Sequence, residues 1–166
     1  MNILSLMHDG TPGRQASLLA ATAASRTAFA ASLENLVSLG FIERNPDHGH
    51  PLRPEFRLTD QGKIAAQVAK RIVSLVPSDE EFTLLRRSWT VPVLALIEEP
   101  QRFSHLRTSL ISITDRALSG TLQQLEERQW VDRHLVTSVR TPYPIYGAIN
   151  RGQEITRAIN LASGPS

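Results

Sequence analysis

The stretch Thr114–Arg133 reads TDRALSGTLQQLEERQWVDR, and Ser25–Arg44, eighty-nine residues earlier, reads SRTAFAASLENLVSLGFIER. Aligned without a gap, they pair Ser25/Thr114, Ala28/Ala117, Phe29/Leu118, Leu33/Leu122, Leu36/Leu125, Phe41/Trp130, Ile42/Val131, Glu43/Asp132 and Arg44/Arg133. The chemistry of each pair is kept even where the residue is not. A self-similar segment at a fixed offset predicts two copies of one small domain, each of roughly 80 residues, enough for a single core. We place the copies at residues 1–77 and 78–166. This repeat limits the fold more than any other feature, because both halves must satisfy one plan.

The plan is easiest to read in the second copy. Trp89–Ile97 is an apolar helix ended by Glu98-Glu99-Pro100. Arg102-Phe103 suits a short strand, and Ser104 suits the N-cap of a helix reaching Leu110. Thr114 caps the next helix, with Asp115 in the first turn, where the helix dipole favours an anion. Leu118, Leu122 and Leu125 recur at i, i+4 and i+7, one face of an amphipathic helix. Trp130–Val139 then reads as a strand, Thr141-Pro-Tyr-Pro144 as a tip, and Ile145–Ile149 as the returning strand. A last helix follows Gly152.

The first copy repeats the order. Ile3, Leu4, Leu6 and Met7 match Val93, Leu94, Leu96 and Ile97. Gly10-Thr-Pro-Gly13 is a turn, Arg14–Ala24 a second helix and Ser25–Leu39 a third, with Gly40 as its stop. Phe41–Asn45 and Glu55–Leu58 form a hairpin around Pro46–Pro51. Thr59-Asp-Gln-Gly62 opens a helix toward Val76. Pro77-Ser-Asp-Glu80 is the expected joint, with Ser78 or Asp79 capping the next helix.

Three helices and then a β-hairpin make a winged helix-turn-helix. The expected class is therefore mainly α with small β-hairpin wings, in two tandem winged helix-turn-helix domains. The third helix packs through its leucines and turns its small, polar N-terminal face outward. A major groove about 12 Å wide accepts one such helix. Arg26, Thr27 and Ala30 fall on that face in the first copy; Asp115, Arg116 and Ser119 do so in the second. The wing-tip cations are His48, His50 and Arg53, and Arg140.

Charge allows this reading without requiring it. The formal net charge is +2. Residues 1–77 carry 8 basic and 6 acidic side chains, and residues 78–166 carry 10 of each. A nucleic-acid surface must then be local. The chain has no cysteine, which excludes disulfides and thiol catalysis. No apolar run approaches the ~20 residues that span a bilayer. The opening MNILSLMHDG has neither a basic start nor a cleavage site, so no signal peptide and a cytoplasmic location are expected.

The residues also resemble two families of bacterial regulators. Ile113–Glu126, the helix led by Trp89, Arg102-Phe103-Ser-His-Leu106, Val131-Asp-Arg133, and Pro142–Tyr146 followed by Gly152 resemble the HxlR type. Ser25-Arg-Thr27, Leu33-Glu-Asn-Leu36, Gly40–Arg44 and Arg57–Gly62 resemble the MarR-type core. The resemblance implies a transcriptional regulator that binds double-stranded DNA. It puts the base-reading face at Ser25, Arg26, Thr27, Thr114, Arg116 and Ser119, with wing contacts near Arg53 and Arg140.

The chain departs from those patterns in places. Gly120 stands where the HxlR-type pattern has a longer polar residue, and Asp115 sets a negative charge near the expected phosphates. The chain starts almost at the first core helix, without the N-terminal dimerisation helix of MarR-type proteins. Two units in one chain suggest an internal pseudo-dimer reading a non-palindromic site; a homodimer with four units is the other arrangement. The competing function is a protein-interaction scaffold, which the near-neutral charge, Asp115 and Gly120 favour.

Other chemistry fits poorly. His48 and His50 are two ligands without a third, so no metal is expected. Glu98-Glu99, Glu126-Glu127 and Asp79-Glu80-Glu81 lie at helix ends or on exposed faces, where charges are usually solvated. No nucleophile elbow or Gly-rich phosphate loop surrounds the Ser, His and Asp residues, so neither an enzyme nor a cofactor is expected. Trp130 should pack in the core, like Phe41. Trp89, near the joint, is the better residue to line a small-molecule effector site. Tyr143 and Tyr146 should pack within the wing.

Overall fold

The computed structural model describes residues 3–22, 24–50 and 53–163; the side chains at 47–50, 53, 162 and 163 fall outside that description. The protein is mainly helical with small antiparallel sheets. It divides into two compact units, Met1–Arg71 and Ile72–Ser166, so the division falls just ahead of Pro77, inside a helix.

The first unit contains α1 (Ile3–His8), α2 (Gln15–Thr22), α3 (Arg26–Ser38), β1 (Ile42–His50), β2 (Arg53–Leu58) and most of α4 (Asp60–Ser74). Its core gathers Ile3, Leu4 and Leu6 from α1, Leu18 from α2, Phe29 and Leu33 from α3, Ile42 and Phe56 from the hairpin, and Ala66 from α4. Each such large side chain contributes about 1.5–3 kcal/mol on burial. Gly13 lets the α1–α2 turn reach the hairpin. Its carbonyl accepts from the Phe56 amide at 2.9 Å, and a Cβ there would lie 1.8 Å from the Phe56 carbonyl oxygen.

The second unit contains α5 (Asp79–Leu85), α6 (Thr90–Leu96), β3 (Gln101–Arg102), α7 (Phe103–Ser109), α8 (Asp115–Glu127), β4 (Val131–Val136), β5 (Tyr143–Ala148) and α9 (Asn150–Ser163). Its sheet has the order β3-β5-β4, all antiparallel. Val93, Leu94, Ile97, Leu106, Ile113, Leu118, Leu125 and Ile155 are fully or almost fully buried, as are Leu122 and Trp130. Thr156 satisfies its buried hydroxyl by donating to the carbonyls of Leu94 and Gly152, both at 2.9 Å.

The repeated segment produces repeated hydrogen bonds. Ser25 accepts from the Ala28 amide at 3.3 Å and Thr114 from the Ala117 amide at 3.2 Å. At the other end, Phe41 and Trp130 donate their amides to Leu36 and Leu125 at 3.0 and 2.9 Å, while Gly40 and Gln129 donate to Val37 and Glu126. This pair of bonds satisfies the last carbonyls of a helix and needs a left-handed residue after the cap. Gly40 supplies it at φ +72°; Gln129 does so at φ +56°, against the preference of a residue with a Cβ. The segment beyond the wing repeats as well. Gly62 and Gly152 each lie where a Cβ would be about 2 Å from a backbone carbonyl oxygen, that of Phe41 in one unit (1.8 Å) and Trp130 in the other (2.0 Å).

Several boundaries differ from the sequence reading. Ser104 is not the cap of α7; Arg102 occupies that position, and the helix already starts at Phe103. The last helix starts at Asn150, so Gly152 lies inside its first turn, where close approach to Trp130 demands it. The first hairpin is longer than expected, because residues 45–48 stand against Glu55 alone in a register shift. Pro46 is accommodated in that irregularity, where a missing amide donor is tolerated. Tyr143 and Pro144 belong to β5 rather than to the tip. At the joint, Ser78 is the cap, accepting from the Glu81 amide at 3.2 Å.

Candidate nucleic-acid interface

The second unit presents α8 on a firm base. Leu118, Leu122 and Leu125 are buried, which fixes the rotation of the helix and leaves Asp115, Arg116 and Ser119 exposed. Thr114 is exposed too, although its hydroxyl already serves as the cap. Asp115 is not an unopposed anion: Arg107 of α7 approaches its carboxylate, Nε to Oδ1 at 2.7 Å. The pair is more than a third exposed on both sides, so its stability value is within about 1 kcal/mol. Its larger effect is electrostatic, because it neutralises the one acid in the first turn of α8. Nothing in the sequence around Arg107 marks this role. Only the fold of the α7–α8 turn brings it to Asp115.

The wing of this unit carries Arg140 exposed between β4 and β5. Arg102 of β3 stacks on Tyr143 at the tip end of β5, with the guanidinium carbon 3.5 Å from the ring centroid. Tyr146 is buried. Both tyrosines are thus engaged within the wing, and Trp130 lies in the core, as the sequence reading expected.

Trp89 is half-buried and lines a concavity of about 570 Å³. Its other walls are Arg86, Arg87 and Ser88 before α6, and Thr114, Arg116, Ala117, Gly120, Thr121 and Gln124 of α8 with its cap. No acid is among these lining residues. A Cβ on Gly120 would meet nothing within 4 Å, so this glycine leaves room in the concavity it lines.

The first unit presents α3 in the same internal frame. Phe29 and Leu33 are buried; Ser25, Arg26, Thr27 and Ala30 are exposed. Its concavity, about 640 Å³, lies elsewhere, among Met7, Phe56, Leu58, Glu43, Arg57, Asp60 and Lys63. The charges there are matched: Arg57 meets Glu43 at 2.7 Å and Lys63 meets Asp60 at 2.9 Å. The Lys63 hydrogen bond and charge hold the Asp60 carboxyl below its ordinary value. Arg53 opens β2 and pairs with His50, but the side chains of Arg53, His48 and His50 lie outside the described residues.

Residues 84–162 match the HxlR-like helix-turn-helix family. That is just under half of the chain, and it contains both the Trp89 concavity and α8. Among curated proteins, none matches the chain. Among solved structures, the reduced transcriptional regulator YodB from B. subtilis is 20% identical, covers 51% of this chain and 83% of its own, and has a TM-score of 0.46. The ytfH protein from Salmonella typhimurium is 26% identical, covers 52% and 79%, and has a TM-score of 0.45. A Thermoplasma volcanium protein described as a possible HxlR family transcriptional factor is 17% identical, covers 71% and 85%, and has a TM-score of 0.43. Among the described residues no helix is long and apolar enough to cross a membrane, and no group of three or more His, Asp or Glu side chains is placed to hold a metal.

Proposed function

We propose that the protein is a bacterial, cytoplasmic transcriptional regulator, not an enzyme, that binds double-stranded DNA through two winged helix-turn-helix units. Residues 1–77 form the MarR-like unit and residues 78–166 the HxlR-like one. The observation that carries the reading is α8: a capped helix anchored by three buried leucines, with Arg116 and Ser119 exposed near its N-terminus, inside a region that matches a helix-turn-helix family. Such a helix enters the major groove, and an arginine there can pair with guanine. Ser25, Arg26, Thr27, Thr114, Arg116 and Ser119 form the reading face in this proposal, with Arg53 and Arg140 on the wings.

The two units act as an internal pseudo-dimer on unlike half-sites about one helical turn apart. Light scattering of the protein on a selected duplex tests this arrangement. One chain per duplex is expected; two chains on a palindrome would assign the activity to a homodimer instead. Sequence-independent binding by phosphate contact alone would leave Arg116→Ala equally weakened on every duplex, and would remove the base-reading role.

A further inference from the structure

We infer that the corner between α5 and α6 is a seat for the DNA backbone, and that Arg86 and Arg87 hold the strand beside the groove that α8 reads. The inference rests on the DNA-reading function and extends it to residues off the third helix. Three arginines, Arg86, Arg87 and Arg116, line one open concavity, and no acid lines it with them. Three arginines around one open space make it net positive, which favours an anion lying among them. The nearest acid in sequence, Asp115, is engaged by Arg107 and is not part of the lining.

The corner is built to hold its shape. Leu84 and Leu85 are buried. Thr90, fully buried, donates its hydroxyl to the Leu84 carbonyl at 2.8 Å. Glu80 of α5 meets Arg128 beyond α8 at 2.6 Å, tying the corner to the reading helix. Arg86 lies over the Phe82 ring at 5.8 Å, which limits its freedom. The half-buried Trp89 supplies an apolar wall suited to a deoxyribose face, and Gly120 leaves room for the sugar-phosphate chain. The volume is comparable to that of a small-molecule site. However, the concavity opens to solvent along α8 and shares Arg116 with the reading face, which suits a continuous strand better than an enclosed effector.

The test uses the full chain and a fluorescent mixed-sequence duplex of about two helical turns, titrated over a range of salt concentrations. Each of Arg86→Ala and Arg87→Ala should lower the slope of log affinity against log salt by about one and weaken all sequences alike. Arg86→Lys and Arg87→Lys should restore most of that slope, because they keep the charge. A wild-type melting temperature in each variant separates the effect from misfolding, and Arg87→Gln serves if the alanine variant melts early. Wild-type affinity and slope in the Arg86 and Arg87 variants would overturn the seat while leaving DNA reading in place. So would a loss confined to one base position, or one that an anionic small molecule relieves. Failure of the wild-type chain to bind any duplex would instead remove the DNA-reading function, and the seat with it.

Discussion

The third helices α3 and α8 come from one sequence pattern and share a cap, a stop and a buried face, yet their surroundings differ in charge. Around α8, three arginines share a concavity with no acid, and the acid at its N-terminus is engaged by Arg107. In the first unit, the charges lining the concavity are paired across the hairpin and along α4. The two segments therefore keep the same caps, stops and buried positions while the side chains around them differ. Glu43 faces Arg57 across the first wing, whereas its counterpart Asp132 faces Gly147. A frame is maintained by burial, which tolerates few substitutions; exposed positions are not so limited, and they are where the two units can acquire different tasks.

The strongest test of the shared frame is steric. Gly62→Ala and Gly152→Ala each drive a Cβ into a backbone carbonyl, and each should cost about 3 kcal/mol or more in denaturant unfolding. A loss at one glycine and tolerance at the other would break the equivalence of the units. Next come the two proposed reading faces. Arg116→Ala should lose about 1–3 kcal/mol of discrimination at one base pair, measured on a panel of single-base variants. Arg26→Ala should do the same at a base in the other half-site; if Arg26→Ala left every base preference intact, the first unit would be structural.

Smaller effects are expected at the helix ends. Ser25→Ala and Thr114→Ala each remove a cap and should cost about 1 kcal/mol, seen as similar drops in the melting temperature. The helix stops should respond with opposite signs. Gly40→Ala places a Cβ at φ +72° and should destabilise by about 1 kcal/mol, whereas Gln129→Gly relieves φ +56° and should stabilise by a few tenths to about 1 kcal/mol. The smallest effect is a titration. Lys63 lowers the Asp60 carboxyl, so this pair stabilises the fold above the ordinary aspartate value of 3.8, and that contribution is lost as pH falls through the folded value below it. The stability difference between wild type and Asp60→Asn should vanish on acidification. The second unit has Asn150 at the matching position and should show no such step.

Much of this was legible in the sequence, for physical reasons. Apolar periodicity reports which face of a helix is buried, and Leu118, Leu122 and Leu125 are buried accordingly. Thr114 caps α8 as expected because a cap is a local hydrogen bond, and Gly40 stops α3 because a left-handed residue is a local demand; Ser25, expected as the first helical residue, is the cap of α3 instead. What the sequence concealed is tertiary. Arg107 and Asp115 lie on different helices, so no helix period relates them, and they meet only because α7 and α8 fold together. Gly152 is a helix residue instead of a breaker because Trp130 passes close by. Gln129 adopts the glycine conformation with no sign in its chemistry. Arg86 and Arg87 belong to no motif of their own, and only the fold sets them beside α8.

DNA reading by two unlike units is decided by selecting binding sites from a random duplex library with the purified chain at near-physiological salt. An internal pseudo-dimer should enrich a motif with two unlike half-sites about one helical turn apart. No enrichment would count against DNA reading and would favour the protein-interaction scaffold instead.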